Sequence, residues 1–270
     1  MHLREEWELT RDITFGQYYN VNSFIHDRDP RAKLFITFAY LIGLFLSRSY
    51  YYIGGMAIFL ILYSLMARLE LPLVLRTLKP VRLLILVSVL LNLFYGAGDV
   101  VLSVGPIAIK ETGVKSAILI GSRMVLMIMF SSTLTFTTMP NALMDGMEKG
   151  FSWLKLFKVP VSELALTMSI ALRFIPILKL EMDRIMDAQK ARGMDFENGG
   201  YIKRVKAFTP VIIPMFVSAV KRSEALAMAM DARCYTGGEG RTKLHPLRYK
   251  KEDIILYMLG IGIIAAGIVL

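Results

Sequence analysis

A single cysteine, three histidines and five long apolar runs without a carboxylate each close off a class of function. Cys234 alone cannot form an internal disulfide, so nothing points to an oxidised framework. His2, His26 and His245 are scattered, and no His/Cys/carboxylate spacing suggests a metal site. The runs Leu34–Ser47, Tyr50–Ala67, Leu83–Gly98, Met124–Thr138 and Ile254–Leu270 contain no acid, which leaves no proton or sodium relay for a stand-alone carrier. Their hydroxyls, among them Ser131 and Ser132, read as helix-packing groups rather than as a membrane enzyme's catalytic set. The phosphate-binding pattern G-x-x-x-x-G-K-S/T is missing too: "GGEGRT" lacks the lysine and the spacing, so any ATP chemistry must be supplied by another chain. The opening "MHLREEWELTRD" has no apolar core of a cleaved signal, so the mature chain is expected to start there.

What is abundant is apolar surface. Hydrophobic residues make up 55% of the 270 positions, mean hydropathy is +0.51, and each of the five runs extends to the roughly 20 residues that cross a bilayer. The fold class expected is all-α, a polytopic membrane protein with about five transmembrane helices. The net charge of +10 then marks segments facing the cytoplasm, with no nucleic-acid partner implied. In "DRDPRAK", Asp29 can cap a helix whose first residue is Pro30.

Charge also sets the topology. With Arg4, Arg11, Arg28, Arg31 and Lys33 inside, two crossings return Arg68, Arg76, Lys79 and Arg82 to the same side, and two more do so for Met139 onward. Counting Val161–Leu180 as a further span would export Arg184, Lys190, Arg192, Lys203, Arg204 and Lys206. That stretch and Pro210–Val220 are therefore read as buried or interfacial helices on the cytoplasmic side. The expected organisation is an N-terminal segment with four spans over 1–138, a cytoplasmic domain over 139–251, and a last span over 252–270.

The cytoplasmic domain divides into three helices, at about 140–158, 162–192 and 203–235. In the first, Leu143, Met147, Phe151 and Leu154 form an apolar stripe, with Trp153 as an interface anchor, as in a helix lying in a membrane surface. The second and third each pass from apolar to charged sequence, and Pro176, Pro210 and Pro214 are flexure points within them. Asp145, Glu148, Glu163, Glu181 and Asp183 read as solvated or ion-paired helix charges. Arg173, in greasy surroundings, is expected to pair with Glu163 or Glu181.

The two long helices end alike, in Ala191-Arg192-Gly193 and Ala232-Arg233-Cys234. One arginine at a helix C-terminus simply complements the macrodipole. Two, each flanked by small residues, present slim guanidinium tips suited to grooves lined with carboxylates and carbonyls.

The segments "FGQYY", "SFIHDRDPRAKLF", "LNLFY", "TTMPNALMDGMEK", "VPVSELALTMSIALRFIP", "AQKARGMDFENG" and "RSEALAMAMDARCYTGGEGRT" occur in the order and spacing of one family. Together they resemble the transmembrane T component of energy-coupling factor transporters, from about Phe15 to the last span, and most closely the shared kind that serves several substrate-binding S subunits. The second triplet departs from the family's usual Ala-Arg-Gly in carrying Cys234, which is still small, so docking is expected to survive while the helix cap there is left open.

The resemblance implies a non-catalytic subunit in a bacterial cell membrane, a cytoplasmic coupling domain of one amphipathic and two long crossed helices, and two ATP-binding-cassette ATPase partners. Ala191, Arg192, Gly193, Ala232, Arg233 and Cys234 would dock on the ATPases. Leu143, Met147, Phe151, Leu154, Met168 and Leu172 would form a platform for an exchangeable S subunit that carries a vitamin or other micronutrient. The chain itself would hold no metal or cofactor, ATP and magnesium belonging to its partners. A conventional importer permease is the nearest alternative, but the sequence has no E-A-A-x-x-x-G loop.

Overall fold

The computed structural model describes residues 18–19, 21–94, 100–104, 107–196, 200–237 and 249–269. Nine α-helices fall within them: α1 (Pro30–Leu46), α2 (Tyr50–Met66), α3 (Leu71–Arg76), α4 (Arg82–Phe94), α5 (Glu111–Thr137), α6 (Pro140–Gly150), α7 (Val161–Ala191), α8 (Tyr201–Asp231) and α9 (Asp253–Val269). A short antiparallel pair, β1 (Val100–Val104) and β2 (Ile107–Lys110), precedes α5, and a 3-10 helix (Ser152–Phe157) follows α6. The chain divides into two compact units, one of Met1–Gly150 with Leu247–Leu270 and the other of Phe151–Pro246.

The first unit is an apolar bundle. Asp29 caps α1 by accepting from the Arg31 backbone N–H at 2.9 Å, with Pro30 in the first turn as the sequence requires. At the bundle's centre Tyr40 stacks on Phe130 with ring centroids 3.9 Å apart, flanked by Phe59 and Tyr63. The Tyr40 hydroxyl donates to the Met56 carbonyl at 3.0 Å, and Tyr52 donates to that of Ile263 at 2.9 Å, so these buried phenols are satisfied.

Glycine brings α1 and α9 together. A Cβ on Gly260 would lie 2.8 Å from the Phe35 ring, and one on Gly267 would lie 2.9 Å from the Gly43 carbonyl oxygen. Close backbone approach over small residues is the packing that membrane helices use where no water drives them together. Many large apolar side chains also face outward: Phe45 is 72% exposed, Leu83 69% and Met258 69%. Lipid can solvate such a surface and water cannot. By length and composition α5 and α7 are each able to cross a membrane; α2, α4 and α9 are apolar but shorter.

One polar node ties the bundle's ends. Lys33, 2% exposed, donates to the carbonyls of His26 at 2.8 Å and Thr137 at 2.9 Å, joining the loop before α1 to the end of α5. Asp253 at the start of α9 accepts from the backbone N–H groups of Asp29 and Lys250. Arg31 donates to both Asp29 carboxylate oxygens and lies over the Tyr249 ring. Burial alone would raise the Asp29 carboxyl, but the Arg31 hydrogen bonds and charge hold it below the usual range. His26 is pushed down from its usual value, first by burial and then by the Lys33 charge. Its Nδ1 lies 2.6 Å from Ser23 Oγ.

Two expectations about the chain's course are revised. The amphipathic segment expected as one helix over 140–158 is α6 followed by a separate 3-10 helix, broken after Gly150. Glycine there weakens the helix, and a Cβ at that position would meet nothing within 4 Å. The β1–β2 pair stands where no strand was anticipated, its members being too short to give a periodic signal.

Candidate functional site

The second unit is built on α7 and α8, each 31 residues long, which gives about 46 Å of helix at 1.5 Å per residue. Pro176, Pro210 and Pro214 lie inside them without ending them. The two run antiparallel. Glu181 near the last third of α7 accepts from Ser218 Oγ at 2.9 Å and pairs with Arg222, both on α8. Phe196, just past α7, meets Phe208 of early α8 with centroids 5.4 Å apart, while residues 166–174 of α7 face 226–237. The C-terminal tips of the two helices therefore lie at opposite ends of the pair.

The tips are built identically. At the first, the Gly193 N–H donates to Lys190 O and the Met194 N–H to Gln189 O; at the second, Cys234 donates to Asp231 O and Tyr235 to Met230 O. Each is a Schellman turn: Arg192 directly follows the last residue of α7, Arg233 stands two past the last residue of α8, and the residue after each arginine is in the left-handed region, Gly193 at φ +86° and Cys234 at +56°. At the second tip Cys234 adopts the left-handed conformation that Gly193 takes at the first. Arg68 closes α2 in the same way, so the turn itself is common. What α7 and α8 share is an exposed arginine on the turn's crest, with exposed Ala191 or Ala232 before it.

The other sequence-derived positions are more dispersed. Leu143 and Met147 are half-buried on α6 of the first unit, whereas Phe151 and Leu154 belong to the second. Met168 is exposed and Leu172 half-buried on α7. Trp153, Leu156 and Phe157 of the 3-10 helix are 60%, 89% and 66% exposed, a stronger apolar surface than the stripe chosen from helical spacing. Trp153 was expected as an interface anchor; α-helical spacing missed Leu156 and Phe157 because the segment is 3-10, where every third residue falls in line. Among the described residues Arg173 pairs with neither Glu163 nor Glu181; Glu181 is taken by Arg222. No group of three metal-ligating side chains occurs among the described residues.

An apolar helical bundle with an apolar exterior, and a second unit built on a long helix pair with two arginine tips, define a helical membrane protein. Residues 21–244 match the family of the cobalt transport protein CbiQ. The chain is also 42% identical over 248 residues to the energy-coupling factor transporter transmembrane protein EcfT of Ruminiclostridium cellulolyticum, covering 92% of this chain and 93% of that one. It is 42% identical over 260 residues to EcfT of Acidaminococcus fermentans (96% and 97% covered), and 40% identical over 247 residues to that of Lactococcus lactis subsp. cremoris (91% and 93% covered). The chain belongs to the CbiQ family, as a transmembrane component of energy-coupling factor transporters.

Proposed function

We propose that this chain is the coupling subunit of an energy-coupling factor importer, passing ATP-driven motion from two ATP-binding-cassette subunits to a substrate-binding S subunit. The observation that carries this reading is the pair of identical arginine tips at opposite ends of an antiparallel helix pair. One stiff element with two equivalent ends suits two ATPases that draw together on binding ATP. Ala191, Arg192 and Gly193 would seat in one subunit, and Ala232, Arg233 and Cys234 in the other. Each guanidinium would meet carboxylates or carbonyls in its groove.

The chain performs no catalysis in this scheme and binds no cofactor of its own; ATP and magnesium sit on the ATPases. Leu143, Met147, Phe151, Leu154, Met168 and Leu172 contribute to the platform for the S subunit, which carries a vitamin or other micronutrient. The first unit crosses the bacterial cell membrane five times, through α1, α2, α4, α5 and α9, with the basic segments inside. α7 is apolar enough to cross, yet carrying it across would export the basic stretch from Arg184 to Lys206.

Detergent co-purification with the host's ATPase pair tests the proposal. Wild type should recover both ATPases, and Arg192→Ala and Arg233→Ala should each lower recovery. A well-folded wild-type chain that recovers neither would refute it. Wild-type uptake by an Arg192→Glu, Arg233→Glu double variant would refute the transmission step.

A further inference from the structure

A groove of about 630 Å³ opens between the first half of α7 and the end of α8. Its lining includes Ser169 and Arg173 from α7, and Arg233, Cys234 and Thr236 from the second tip. Two guanidinium groups thus face one concavity, and among the described residues no aspartate or glutamate lines it. Among the described residues neither arginine side chain has a hydrogen-bond or ion-pair partner. Of the two acids expected to neutralise Arg173, Glu181 is committed to Arg222 and Ser218 further along the same helices, and Glu163 forms no ion pair with it. Like charges gathered without a counter-charge are unfavourable unless something anionic completes them.

We infer that Arg173 is a second anchor of the Arg233 docking site, and that the groove receives an acidic side chain from the ATPase subunit seated on that tip. The inference rests on the coupling-subunit reading above and adds a residue the tip motif does not contain. Continuity favours this occupant: the groove is walled by the tip's own residues, so a subunit that covers Arg233 also covers the groove. A planar guanidinium on each wall suits a carboxylate, which can accept from both. Arg173 sits three turns into the regular part of α7, so it supplies a rigid contact beside the turn that carries Arg233.

The test uses the full chain with both ATPases, reconstituted in nanodiscs of neutral lipid and, separately, of lipid containing acidic phospholipid. ATPase affinity is measured for wild type, Arg173→Gln, Arg173→Lys, Arg233→Ala and the Arg173→Gln, Arg233→Ala pair. Arg173→Gln should weaken binding on the order of tenfold in both lipids, as expected for losing one charge-assisted contact. Arg173→Lys should recover part of that loss. The double variant should lose less than the product of the single losses, because both side chains address one acidic segment.

Ser169→Glu tests the same wall with Arg173 retained. A carboxylate one turn before Arg173 competes for it and should lower affinity comparably. Unchanged affinity in both Arg173→Gln and Ser169→Glu, with Arg233→Ala still defective, would overturn the inference and leave the coupling reading intact. An Arg173→Gln defect confined to acidic lipid would overturn it in favour of a lipid headgroup. Failure of wild type to bind any ATPase would overturn both readings.

Discussion

Cys234 holds a backbone conformation that disfavours any side chain, at φ +56° in the turn after Arg233, where the matching turn has Gly193. Cys234→Gly should therefore raise the thermal unfolding midpoint in detergent by an amount reflecting about 1 kcal/mol. A β-branched replacement, Cys234→Val, should lower it. A second residue-scale expectation concerns acid. His26 is depressed below its usual 6.5, so above that pH it is neutral in both the folded and unfolded chain. As pH falls below 6.5 the unfolded chain takes up the proton first, and folding stability drops until the depressed value is passed. Asp29, also depressed, keeps its contribution above its ordinary 3.8 and loses it only as pH falls through its lower folded value. Midpoints recorded from pH 7 to 5 should fall for wild type and less steeply for His26→Asn. The Asp29 cap was legible in "DRDPRAK", because capping is local; the state of His26 was not, because burial in the folded bundle, and then the Lys33 charge, create it.

At the scale of elements, helix identity followed from apolar periodicity and contact geometry did not. α7 and α8 begin and end within a few residues of their expected limits, and the prolines inside them are accommodated. The partner of Glu181 was open in the sequence, since Arg222 stands 41 positions away and only the antiparallel pairing of the helices brings it near. The glycine seam between α1 and α9 is likewise a product of pairing across the chain's length. Gly260→Leu should destabilise the bundle by about 1–3 kcal/mol, the usual result of overpacking, because its Cβ would already lie 2.8 Å from Phe35. Thermal denaturation in detergent reads this directly. Gly262→Leu is the control: nothing lies within 4 Å of a Cβ there, and its effect should be small.

For the whole molecule, orientation in the membrane is the property on which the proposed function depends. Cys234 is the chain's one cysteine and is exposed, so it reports the side on which the second tip lies. A membrane-impermeant maleimide should label it in inverted vesicles and not in right-side-out ones; the reverse pattern would refute the five-span topology. Sequence alone determined the class of the protein, its helical runs, the charge asymmetry and the repeated Ala-Arg-small ending, because these depend on composition and on neighbours a few positions apart. Tertiary structure decided that the two endings adopt one turn at opposite ends of a pair, that Glu181 belongs to Arg222, and that Arg173 shares a groove with Arg233. Those facts depend on which distant segments meet, and residue spacing carries no record of that until the helices pack.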